Sequence, residues 1–317
     1  MASDAIHVEM ARIEEARRMD ATEKPRMHRR RPVEYVAWLV CALVILGVGH
    51  TLLTNPNYEW GVVGKYFTAS TVLRGLGLTL VLTALAMFFG TVLGLLIAIL
   101  RVSKVRPVML LATAYITFFR GTPVLVQLIF WFNIAALYPH IAIGIPFTHV
   151  SQAVNVNSLM SATTAAIVGL SLNEAAYLAE IIRGGFASVD RGQLEAADSL
   201  GMRGRSKLWR IIIPQAMPTV IPAVGNQVIG MFKETSLVSV LGVAELLQSV
   251  QLIYARTYQT IPLLIVACLW YLLMTLALSY PQSLIEKKYS RTRSRVAKDP
   301  AAAQLPMDAT LMGGEAR

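Results

Sequence analysis

The chain has 317 residues, of which 55% are hydrophobic and only 15% charged, below the roughly one quarter charged that soluble domains carry. This composition excludes an ordinary soluble enzyme and points to an integral membrane protein. The formal net charge of +10 fits basic loops kept on the cytoplasmic side of a bilayer, so no nucleic-acid partner is expected.

Residues 1–32 are polar and charged and end in "MHRRRP". They are too long and partly too acidic for the n-region of a cleavable signal, and are read as a cytoplasmic tail. An apolar run from about Val33 to Leu53 is long enough to cross a bilayer of about 30 Å, with Arg29, Arg30 and Arg31 anchoring its start inside. "TNPNYEWGVVGKYF" then reads as an outer loop whose Trp60 and Tyr66 suit the interface. Residues 33–67 thus hold a first span and its loop.

A second span covers about Val72 to Leu100, and the basic "RVSKVRP" places its end inside. The third run, Val108 to Leu137, is interrupted by "RGTP", and residues 138–159 form an outer loop of few charges. The fourth span runs from about Ser161 to Ile182. An inside loop with Arg191, Arg203, Arg205, Lys207 and Arg210 follows. The fifth run, Ala216 to Val240, is interrupted by "KETS", and the sixth covers about Ile261 to Ile285. "EKKYSRTRSRVAK" opens a cytoplasmic C-terminal tail, residues 289–317. The expected fold is all-α and polytopic, with about six spans and both termini cytoplasmic.

Cys41 and Cys268 lie in separate apolar runs and suggest neither a disulfide framework nor a CxxC metal site. The five histidines are scattered without metal-ligand spacing. No GxxxxGK[ST] phosphate loop occurs. The chain is therefore expected to bind no cofactor of its own and to hydrolyse no ATP itself.

The inside loop is unusual because it reads as soluble structure. Asp190 with Gln193 makes a capping box, "QLEAADSL" is a strong helix former, and Gly201 supplies a left-handed stop. Ser206 is placed to cap a second short helix, "KLWRIII", which Pro214 interrupts or ends. Ala196 and Ala197 leave a low surface for close approach, with Leu194, Leu200, Leu208 and Trp209 as apolar contacts. On these grounds alone the segment is either a cytoplasmic docking knob or an amphipathic piece lying on lipid.

Glu195-Ala196-Ala197, with Gly201 six residues after the glutamate, Ile211 and Ile213-Pro214, resembles the EAA motif of ATP-binding-cassette (ABC) importer permeases, departing from it only by Ile213 for leucine. "FFRGTPVLVQL", "LSLNEAAYLAEIIRGG" and "PQAMPTVIPAVGNQVIGMFKETSLVSVLGVAEL" are similar to the polar amino-acid importer branch. The resemblance covers residues 68–288. It implies a transmembrane domain whose loop forms coupling helices docking into a cytoplasmic ABC ATPase dimer, with Glu195, Ala196, Ala197, Gly201 and Pro214 as the coupling residues. It also implies a second permease subunit, the same or a paralogue, and a periplasmic or surface-anchored amino-acid-binding protein. ATP and Mg would sit on the ATPase, and the membrane would be the bacterial inner one.

Ionisable residues at membrane depth are costly and are usually paired or functional. Arg120, Glu174, Glu180, Lys233 and Glu234 are of this kind. Thr122 can cap a half-helix after the "RGTP" break with Pro123 in its first turn. Its dipole and Arg120 then suit a substrate carboxylate, while Glu174 suits an ammonium or basic side chain. The other reading is that Arg120 pairs with a glutamate to hold the fold. Glu180 and Lys233 are expected near helix ends or in internal pairs. Gly225 and Asn226 resemble family residues at a helix crossing. Two further functions remain open at this stage: an ion-driven secondary amino-acid carrier, which would leave the EAA spacing unexplained, and a membrane-anchored scaffold.

Overall fold

The computed structural model describes residues 32–144 and 151–297. The N-terminal tail, apart from Pro32, and the C-terminal tail beyond residue 297 lie outside them. The chain divides into two compact units, Met1–Tyr58 and Glu59–Arg317.

In the first unit α1 (Pro32–Thr54) has 23 residues, about 35 Å at 1.5 Å per residue. Proline at its first position costs nothing, because that N–H has no intrahelical partner. Apolar side chains cover all its faces, with Trp38, Ile45 and Leu46 each at least two-thirds exposed, as expected of a single span facing lipid.

The second unit opens differently from the expected loop. Trp60–Phe67 is helical (α2), and its only fully buried residue is Val63. Phe67 stacks on Trp270 with ring centroids 4.7 Å apart, and the Trp270 indole N–H donates to the Phe67 carbonyl at 2.8 Å. Eight residues are too short for periodicity to stand out from a polar, aromatic stretch, and packing on the last helix makes this one stable.

Next come α3 (Ser70–Arg101), α4 (Arg106–Gly121) and α5 (Val124–Phe132). The "RGTP" break separates the last two at an angle of 103°. The expected outer loop contains an antiparallel hairpin, β1 (His140–Gly144) with β2 (Ser151–Asn155), in register His140 to Asn155. It is the one departure from an all-α fold among the described residues. After α6 (Val156–Leu159), Ser161 caps α7 (Ala162–Ala187) by accepting from the Thr164 N–H at 3.2 Å.

The inside loop holds α8 (Arg191–Ser199) and α9 (Gly204–Lys207), then a π-helical turn at Leu208–Ile212 and α10 (Ile213–Glu234). At "KETS" the α-helix gives way to a 3-10 segment, Thr235–Leu241, which Gly242 ends in the left-handed region. There follow α11 (Leu246–Thr257) and α12 (Thr260–Ala297), the latter running past the expected end of the last span.

Four helices, α1, α3, α7 and α12, are long and apolar enough to cross a membrane alone. Counting α4 with α5, and α9–α10 with α11, as bent spans gives up to six. The protein is a polytopic, essentially all-α membrane protein. Its core lies along α7, whose most extensive partner is α3. Leu82 and Ala86 of α3 and Leu170 and Leu178 of α7 pack there with Leu128 of α5 and Met231 of α10.

Candidate functional site

The closeness of α3 and α7 follows from two glycines. A Cβ on Gly94 would lie 2.9 Å from the Ala175 carbonyl oxygen, and one on Gly90 would lie 2.9 Å from Glu174 Cγ. Small residues let helix backbones approach in this way. Glu174, midway along α7, is thereby pressed against the α3 backbone and is only 1% exposed. Across from α3, Gln227 Nε2 of α10 donates to both carboxylate oxygens at 3.1 Å. One turn earlier on α7, Ser171 is 3% exposed, and its hydroxyl is buried without a partner among the described residues.

The neighbouring break is held by amides. Asn173 Nδ2 donates to the Phe119 carbonyl and to Gln127 Oε1, both at 3.0 Å. Gln127 Nε2 donates to the Phe119 carbonyl at 3.0 Å, the Thr122 carbonyl at 3.1 Å and Thr122 Oγ1 at 2.7 Å. Carbonyls left open at the end of α4 are thus satisfied inside the fold, which non-helical backbone at membrane depth requires. Sequence reasoning passed over Asn173 and Gln127. The available signal was an amide alone in an apolar run, which must find a partner at that depth.

Thr122 does not cap α5. Pro123 is the N-cap residue, and the Thr122 hydroxyl donates back to the Phe118 carbonyl at 2.8 Å. A threonine whose oxygen already serves its own preceding turn and a glutamine has no reason to reach forward. Arg120 does not pair with Glu174. Its guanidinium carbon sits 5.3 Å from the Tyr177 ring centroid, and it has no carboxylate within 4 Å among the described residues. Glu180 is the glutamate that pairs, with Arg101 Nη1 at 2.8 Å and with Arg183. Lys233 is exposed at the end of α10.

A second buried carboxylate was not foreseen. Glu245, fully buried, caps α11 by accepting from the Gln248 N–H at 2.8 Å. It also accepts from Tyr271 Oη at 2.9 Å and Thr79 Oγ1 at 3.3 Å, pinning α11 to α12 and α3. Its signal was the E-x-x-Q spacing of a helix start.

In the inside loop Asp190 caps α8 by accepting from the Gln193 N–H at 3.2 Å. Gly201 ends the turn with φ +66°, the Gly201 N–H donating to the Asp198 carbonyl at 2.9 Å and the Met202 N–H to the Ala197 carbonyl at 3.0 Å. This pair of bonds is the Schellman closure. Lys207 pairs with Asp198. Ala197 faces inward at 3% exposed, whereas Leu200 is 81% and Trp209 62% exposed, and Glu195 and Ala196 lie on the open face. The second short helix differs from expectation. It begins at Gly204 with Arg203 as N-cap, so Ser206 lies inside it. Pro214 does not stop it: the backbone runs on through the π turn at Leu208–Ile212 into α10, of which Pro214 is the second residue. From Gly204 to Glu234 the chain is one helical rod with a π turn in it.

At the crossing of α10 and α12, a Cβ on Gly225 would lie 1.7 Å from Gln282 Oε1, and Asn226 Nδ2 donates to Glu286 Oε1 at 3.3 Å. The small residue and bridging amide expected there are both present.

Residues 90–291 match the family described as binding-protein-dependent transport system inner membrane component. The chain belongs to this family. The permease is 35% identical over 292 residues to the arginine transport system permease protein ArgU of Corynebacterium glutamicum, covering 89% of this chain and 90% of that one. It is 38% identical over 222 residues to the probable amino-acid permease protein YxeN of Bacillus subtilis, covering 70% and 92%. Among solved structures it resembles one described as an amino acid ABC transporter with histidines, at 39% identity and a TM-score of 0.60, over 69% of this chain and 94% of that one. A self-sufficient ion-driven carrier, the alternative left open by an intramembrane glutamate, is set aside, since membership is in a family of components of binding-protein-dependent systems.

Proposed function

We propose that this permease forms the translocation pathway of an ATP-driven importer of polar amino acids, with Glu174 receiving the substrate's cationic group. The observation that carries the reading is the carboxylate itself. It is buried midway along a helix long enough to span a membrane, has no cationic side chain within 4 Å among the described residues, and lies one turn from an unpartnered hydroxyl. Such a group at that depth is expensive unless it is used. The arginine permease of C. glutamicum and the transporter solved with histidines support a preference for cationic side chains.

The partners are a cytoplasmic ABC ATPase dimer carrying ATP and Mg, a second permease subunit, and a periplasmic or surface-anchored amino-acid-binding protein. The setting is the bacterial inner membrane with both termini cytoplasmic. Glu195, Ala196 and the exposed Leu200 and Trp209 present the docking surface to the ATPase. Gly201 and Pro214 shape the segment behind it, and Ala197 supports it from within.

The test is Glu174→Gln in proteoliposomes containing the ATPase and binding protein. Vanadate-sensitive L-arginine uptake should fall at least about a hundredfold, the scale of removing one partner of a buried charge pair. Assembly with the ATPase should persist, and selectivity should move toward neutral amino acids. Unchanged kinetics and selectivity in a folded, assembled variant would refute the site.

A further inference from the structure

Glu174 has one face against backbone and one face against a movable side chain. On the α3 side, Gly90 is so close that even a methyl group would collide with the Glu174 side chain. On the α10 side, Gln227 alone among the described side chains donates to the carboxylate, reaching both oxygens. At 1% exposure the carboxylate has no room for a ligand while Gln227 stays where it is. A primary amide presents two N–H donors and a partial positive charge, which is a fair copy of one edge of an ammonium or guanidinium group.

Gln227 also sits on the helix with the greatest reason to move. α10 continues without interruption from the inside loop through a π turn at Leu208–Ile212, a type of irregularity that often accompanies function. It contains Pro218 and Pro222, each of which removes a backbone hydrogen bond and permits bending. Asn173, by contrast, ties the α7 side of the cluster to Phe119 and Gln127. The carboxylate is thus fixed and its cover is carried on the lever.

We propose that Gln227 is a stand-in for the substrate's cation. It occupies Glu174 in the empty permease, withdraws when α10 moves with the inside loop, and returns to displace the substrate. This deepens the reading of Glu174 as the cation site and rests on it. Gln227 is therefore a positioning and release residue.

The test is Gln227→Met, which keeps length and volume and removes both donors. L-arginine binding to the assembled, nucleotide-free complex should tighten by about ten- to a hundredfold, the scale of a hydrogen bond to a charged group. KM and kcat for uptake should fall together, because binding gains and release loses. The empty variant should melt lower than the parent protein, and L-arginine should raise its melting temperature by more than it raises that of the parent. Should Gln227→Met not assemble, Gln227→Ala is measured in the same way. Unchanged or weaker L-arginine binding in a folded variant would overturn the proposal. If Glu174→Gln shifts selectivity while the Gln227 variants leave KM unmoved, only the role of Gln227 fails. If Glu174→Gln leaves uptake and selectivity intact, the cation site fails and this proposal with it.

Discussion

Gly201 offers a substitution series in which strain acts without collision. Its φ is +66°, and a Cβ placed there would meet nothing within 4 Å. The penalty for another residue is therefore conformational, about 1–2 kcal/mol for alanine, less for asparagine, which tolerates this region, and more for valine, whose β-branch does not. The opposing force is the closure itself: two hydrogen bonds, Gly201 N–H to Asp198 and Met202 N–H to Ala197, each contributing about 0.5–1.5 kcal/mol, and the exposed Lys207–Asp198 pair, which adds little. Strain and closure are of similar size, so the loop should be nearly balanced between formed and frayed in Gly201→Ala and largely frayed in Gly201→Val. Affinity for the ATPase should rank Gly, Asn, Ala, Val, with alanine about twofold weaker than glycine, as a half-populated competent state requires, and membrane insertion equal throughout. Pulldown of the ATPase from detergent-solubilised membranes, with ATP-dependent uptake alongside, measures it. Equal binding by the alanine and valine variants would refute the argument, as would asparagine behaving worse than alanine.

Two further outcomes follow from the same geometry. Ala196→Arg should block ATPase association while leaving the permease's thermal stability intact, because Ala196 is exposed, whereas Ala197→Arg should itself lower stability, because Ala197 is 3% exposed; equal melting temperatures for the two would contradict this assignment of faces. Gly225→Ala should push Gln282 off its bonds to the Pro222 carbonyl at 2.8 Å and Glu286 Oε1 at 3.0 Å, costing about 1–3 kcal/mol, and adding Gln282→Ala should cost less than the sum of the two single changes; simple additivity in thermal unfolding would show that the clash is relieved elsewhere.

Much of the span pattern was legible because lipid imposes a length and a polarity that survive in a single sequence. The break at "RGTP" falls where the apolar run is interrupted by charge and by hydrogen-bonding side chains, whereas at "KETS" the helix only tightens to 3-10 and the bend comes after Leu241, at Gly242–Glu245. The cap at Asp190 and the stop at Gly201 were legible for a related reason: each is a local rule, fulfilled within five residues. What was missed depends on distant contacts. α2 exists because Trp270, about two hundred residues away, receives Phe67. Thr122 fails as a cap because Gln127 and Phe118 claim its hydroxyl. The second loop helix runs through Ser206 and Pro214, and the π turn at Leu208–Ile212 directly precedes the proline, which removes a backbone hydrogen bond from the rod.

Glu174, Glu180 and Glu245 differ in what a ligand could add to them. Glu180 already faces two guanidinium groups, from Arg101 and Arg183, so a further cation would meet repulsion rather than a vacancy. Glu245 receives backbone N–H donation at the start of α11, a phenol and a threonine hydroxyl, from three different helical segments, and opening it would unpin α11 from α3 and α12. Glu174 receives a single side chain, carried by the helix that begins in the inside loop. Only there can a cationic group replace the existing partner without dismantling the packing, since the donor that leaves belongs to a rod able to bend at Pro218 and Pro222. Arg120 over Tyr177 completes the distinction. Its guanidinium lies over an aromatic face and not against Glu174, so a cationic group that displaced Gln227 would meet a carboxylate with no cationic side chain within 4 Å among the described residues.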